Sequence, residues 1–155
     1  ASDEDMIAQF NFITEVRDKL TEIHKALKNV AKVKSKINDL KTSLDKEQHK
    51  ELLEFASTIS KEITKIENNL YQTKSKSNQD PLNFPIKLNN KLGHLNSLTS
   101  LGNYRPTDQA IEFKNEITKE IDKELAALYA IFNTDVKELN KKVKESAVDL
   151  IQLDD

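Results

Sequence analysis

"FNFITEVRDKLTEIHKALKNVAKVKSKINDL", Phe10 to Leu40, decides the fold, because one apolar side chain returns every three or four residues along it without a break. Extended outward, the series starts at Met6 and runs through Phe10, Ile13, Val16, Leu20, Ile23, Leu27, Val30, Val33, Ile37, Leu40 and Leu44, eleven steps over 38 residues. That spacing of about 3.5 residues is one stripe on one long helix. The acids Asp3, Glu4 and Asp5 stand where the positive end of its dipole favours them.

After a tight turn at "SLDKEQ", Asp45 precedes Gln48 by three residues in the manner of a capping box, and the stripe resumes at Leu52, Ala56, Ile59, Ile63, Ile66 and Leu70. A link this short makes a helical hairpin of the first two helices. Residues 73–85, "TKSKSNQDPLNFP", lose the period and collect turn-forming residues, so they form the main loop. A shorter helix is expected over 86–101, with Leu88, Leu92, Leu95 and Leu98 inward and Gly102 ending it.

The last stripe, Ile117, Ile121, Leu125, Leu128, Phe132, Val136, Leu139 and Val143, takes seven steps over 26 residues, about 3.7 per step, which predicts a nearly straight helix. Its segment "LAALYAIF" is apolar all round and predicts enclosure by neighbours on several sides. The expected fold is therefore all-α: one domain over 1–155, an antiparallel bundle of three long helices and one shorter one, at about 3–43, 46–72, 86–101 and 107–146.

The composition agrees, with 32% charged residues, two glycines and three prolines in 155 residues. A formal net charge of -2 gives no global field to draw in nucleic acid or an anionic membrane. The absence of cysteine excludes disulfides and thiolate sites. The longest apolar run, Leu125 to Phe132, is far short of the roughly 20 residues a bilayer span takes.

Catalytic chemistry finds little material. His24, His49 and His94 lack the Glu-x-x-His or i, i+4 partners of a bundle metal site, so they read as surface or boundary residues and no metal is expected. Glu51 and Glu54 read as a solvated face, and there is no Gly-rich phosphate loop, nucleophile elbow or HExxH. No polar residue interrupts the stripes in the way a ligand cavity requires, so no cofactor is expected. Lys25, Lys28, Lys32, Lys34, Lys36 and Lys41 form a basic sleeve, but without interleaved aromatics or arginines it reads as a solvated face and no nucleic acid is expected.

Arginine is the rarity, since only Arg17 and Arg105 occur among 24 basic residues. A forked hydrogen-bonding role is expected of each: Arg17 with a carboxylate across the bundle, Arg105 at the entry of the last helix. At that entry, "GNYRPTDQA", Thr107 or Asp108 supplies the cap, while Pro106 fixes the approach and stands where it can staple onto Ile111. Phe84 and Tyr104 lie near the connecting loop and are candidate contacts. Phe10 and Phe12 are about 160° apart on the helix, so both cannot face one partner helix. Phe12 joins the candidate contacts.

"YRPTDQAIEFKNEITKEIDKELAAL", Tyr104 to Leu128, resembles the C-terminal helical region of bacterial BNR-repeat, sortilin-like β-propeller proteins, often labelled glycosyl hydrolases. "QFNFITEVRDKLTEIHKALKNV", Gln9 to Val30, with Arg17, Asp18, Lys19 and Leu20 as its R-D-K-L word, resembles the opening helix of that region, and "LNNKLGHL", Leu88 to Leu95, the helix before the corner. The resemblance implies an exported bacterial protein with its propeller N-terminal to Ala1, and it carries no catalytic residue onto this chain. The opening "ASDEDM", without an initiator methionine, likewise reads as an excised piece. The expected function is a non-enzymatic accessory module that packs on its propeller or binds a protein partner. The second reading is a self-associating bundle.

Overall fold

A computed structural model of the chain describes residues 2–70 and 105–150, with side chains described to residue 147. Among these residues the regular structure is entirely helical: α1 (Asp3–Ser43), α2 (Lys50–Leu70), α3 (Asp108–Ala130), a π-helical turn (Ile131–Asp135) and α4 (Val136–Leu150). The expected helix over 86–101, Gly102, Phe84, Tyr104 and His94 lie outside the described residues.

α1 starts where the sequence places it. The Ser2 hydroxyl accepts from the Asp5 backbone N–H at 3.1 Å, and three acids fill the first turn. It ends at Leu44, whose extended backbone leaves the helix and whose N–H still bonds the Leu40 carbonyl at 3.0 Å. Asp45 then accepts from the N–H groups of Glu47 at 2.8 Å and Gln48 at 3.4 Å, the forward half of the expected capping box. α2 begins at Lys50 rather than 46, because these hydrogen bonds hold residues 46–49 in a turn.

One core joins the described helices. From α1 it takes Phe12, Val16, Ile23, Ala26, Val30 and Ile37; from α2, Leu52, Ala56, Ile59, Ile63, Ile66 and Leu70; from α3 and α4, Ile117, Ile121, Leu125, Leu128 and Leu139. α2 runs back along α1, as the ion pair of Lys34 with Glu67 at 3.0 Å records. α3 and α4 run along α2 in the opposite sense, with Asn69 donating to Glu124 near the end of α2 and the Lys142 ammonium 5.5 Å from the Phe55 ring near its start. Burying an aliphatic side chain of this kind stabilises by about 1.5–3 kcal/mol, so this continuous seam dominates the stability.

Three expectations are corrected here. Phe10 is not on the core side; it is 68% exposed, while Phe12 is buried at 3%. Counting back from Val16 in two steps of three residues, through Ile13 to Phe10, rotates about 120° away from the core, whereas one step of four to Phe12 rotates only about 40°. The last helix is not uniform either. Seven α turns take up about 25 residues, so a stripe of 26 has about one to spare, and the π turn at Ile131–Asp135 absorbs it. Finally, "LAALYAIF" is not enclosed on several sides: Leu125 and Leu128 are buried, but Ala126, Ala127, Tyr129 and Ala130 are exposed. Alanine adds apolar character to a helix without requiring burial.

Candidate interaction surface

The N-terminal half of α1 meets α3 along a run of charged pairs that flanks the core. Lys114 stands one turn before Ile117, so it extends the α3 stripe, and it is buried at 8%. Its ammonium bonds the Glu15 carboxylate and lies 5.4 Å from the centroid of the Phe12 ring, so one cation ties both groups of α1 to α3. This is a polar interruption of a stripe, contrary to the sequence expectation. The long lysine stem fills an apolar site while its head reaches the edge, where with Glu15, Lys19 and Glu22 it lines an open groove of about 290 Å³.

One turn along, Lys19 bonds Asp122 at 2.6 Å and Glu22 at 3.2 Å. Burial alone would lower the Lys19 pKa; the hydrogen bonds to Asp122 and then Glu22 outweigh it and hold the ammonium above its ordinary 10.5. The Tyr129 hydroxyl donates to Glu22 at 3.4 Å, and burial, reinforced by the Glu22 charge, pushes the phenol above its ordinary 10.0. The cross-helix ion pairs are thus made by lysines. Arg17 is exposed, and among the described residues no carboxylate pairs with it, so the expected bond across the bundle is not found there.

At the entry to α3, the Thr107 hydroxyl accepts from the Ala110 N–H at 3.1 Å and is the cap; Asp108 follows in the first turn, favourable to the dipole. Pro106 is buried and Arg105 is exposed. Phe12, the candidate contact on α1, is a core residue instead. The outward apolar residues are Met6 and Phe10, both members of the stripe, and Ile7 beside them, at 53%, 68% and 59% exposed. The sequence signal was present in the 160° between the two phenylalanines, but the choice between them depended on phase.

A second feature lies at the other end of α1. An open groove of about 530 Å³ runs between the turn at Glu47–Leu52 and Lys142, Glu145 and Ser146 of α4. His49 lines it, half-buried, with a buried Nε2 that has no described hydrogen-bond partner. His24 is exposed, as are Glu51 and Glu54. Among the described residues no group of three or more His, Cys, Asp or Glu is placed to hold a metal ion, and no helix is long and apolar enough to cross a membrane. In the basic sleeve, Lys25, Lys28, Lys32 and Lys36 are exposed, while Lys34 is taken up by Glu67.

Compared with family models, curated proteins and solved structures, the chain matches none.

Proposed function

We propose that this chain is a non-catalytic helical interaction module, an antiparallel bundle of three long helices and one shorter one, that belongs to a larger exported β-propeller protein of the sortilin-like kind. The observation that carries the interaction role is the cluster of Met6, Ile7 and Phe10, three large apolar side chains turned outward on successive turns of α1. Single exposed apolar residues are ordinary, but a contiguous group beside a well-filled core is a docking surface. The attachment to a propeller is supported by the words quoted from Gln9–Val30, Leu88–Leu95 and Tyr104–Leu128.

Two experiments test the two parts. The complete reading frame tests the attachment: a propeller-coding region upstream is expected, and a different neighbour there removes that part of the reading. A photoactivatable side chain at position 10 tests the surface: a crosslink to a protein is expected, and its absence in the native host removes the interaction role. The second reading, self-association, is favoured by the way charge is arranged around this same cluster.

A further inference from the structure

Asp3, Phe10 and Arg17 are seven residues apart and lie within about 20° of one line along α1. Met6 and Ile7 flank that line on one side of Phe10; Ile13 and Thr14, both half-buried, flank it on the other. All three residues on the line are exposed. The strip therefore has an apolar centre, a carboxylate at one end and a guanidinium at the other.

We infer that this strip is the contact surface for a second copy of the chain, with the two α1 segments antiparallel about a two-fold axis at Phe10. This rests on the reading of the chain as an interaction module and names its partner. In that register each residue n lies level with residue 20 − n of the other copy. Phe10 meets Phe10, and Asp3 meets Arg17 twice over, once at each end; the two-fold keeps each flank on its own side of the seam, so Met6 packs beside Ile13 and Ile7 beside Thr14. An isologous contact needs a patch that complements itself under rotation, and opposite charges placed symmetrically about an apolar centre meet that requirement.

Arg17 is suited to the task, because its fork matches a carboxylate and no described carboxylate engages it within the chain. A lipid surface fits less well. Asp3, Glu4 and Asp5 cluster at the same end, and acids there repel an anionic headgroup layer. A handful of side chains per copy falls short of the roughly 800 Å² per partner that stable complexes bury, so the dimer is weak and concentration-dependent.

Sedimentation equilibrium on the whole 155-residue chain, up to about 1 mM given so small an interface, tests the inference. The wild type is expected to dimerise and Phe10→Glu to remain monomeric. Asp3→Arg and Arg17→Asp, each alone, place like charges together and are expected to dimerise at least about fivefold more weakly. Mixed in equal amounts, these two variants have complementary strips, and the mixture is expected to recover wild-type association within about twofold. A wild type that stays monomeric, or a mixture no stronger than its components, overturns the inference. So does cosedimentation of the monomer with zwitterionic phosphatidylcholine vesicles that Phe10→Glu abolishes. A position-10 crosslink to another protein, with no self-association, would overturn the second copy as partner and leave the interaction module standing.

Discussion

Replacing Phe12 by alanine should destabilise the protein severely, whereas the same change at Phe10, two residues away, should leave it almost unmoved. Phe12 is 3% exposed, packs in the shared core and carries the Lys114 ammonium 5.4 Å from its ring centroid. Its truncation removes the transfer energy of a buried ring and leaves a cavity, at a cost of about 3–4 kcal/mol. Loss of the cation–ring contact adds about 0.5–1 kcal/mol. For a chain of this size each kcal/mol moves the melting temperature by about 2–4 °C, so Phe12→Ala should melt roughly 10 °C lower. Phe10, 68% exposed, has little burial to lose, and its change should stay within about 0.5 kcal/mol, or about 2 °C. Thermal melts followed by circular dichroism at low micromolar concentration, where a weak dimer is dissociated, make the comparison. Equal losses at both positions, or a larger loss at Phe10, would refute the assignment of faces on α1.

Three further outcomes follow from the same contacts. Lys114→Met keeps the stem volume and should change urea-unfolding stability by less than about 1 kcal/mol, while Lys114→Ala, which empties the site, should cost about 2 kcal/mol. Ile63→Ala, at a fully buried position in the middle of α2, should cost about 2–5 kcal/mol in the same assay. Stability should also fall in alkali: Lys19 and Tyr129 both have folded-state pKa values raised above the ordinary 10.5 and 10.0, so the folded state favours their protonated forms. That contribution is complete below about pH 10 and is lost as the pH rises through the raised values. The double variant Lys19→Met with Tyr129→Phe should show a flatter decline between about pH 10 and 12, measured by urea titration at fixed pH.

Much of this architecture was legible in the sequence because its evidence is periodic. The bounds of α1, the tight turn at Asp45 and the Thr107 cap follow from residue types whose backbone preferences are local, and the α2 stripe appears in the core residue for residue. Phase was harder to read. The apolar series crosses from one face of α1 to another at Ile13, and only the packing of α3 on Phe12 through Lys114 decides which phenylalanine is inside. Lys114 leaves no mark in the apolar periodicity, because a charged residue on a stripe adds no apolar step. The π turn left a trace in the 3.7-residue mean spacing, but a mean does not locate the extra residue. Arginine scarcity draws attention to Arg17 and points its fork inward, whereas the helix carries it outward in line with Asp3 and Phe10.

The most direct measurement of the central claim, that the opening turns of α1 turn an apolar face outward for a partner, uses the absence of cysteine from the chain. Single variants Ile7→Cys and Val16→Cys are labelled with a thiol reagent in dilute and concentrated solution. In dilute solution Ile7→Cys should react almost as fast as an unfolded control. Val16→Cys should react about 100-fold or more slowly, because reaching it requires an opening of several kcal/mol. Concentrating the protein should then slow labelling at position 7 and leave position 16 unchanged. If position 7 is protected as strongly as position 16 in dilute solution, the face is turned inward and the account is contradicted.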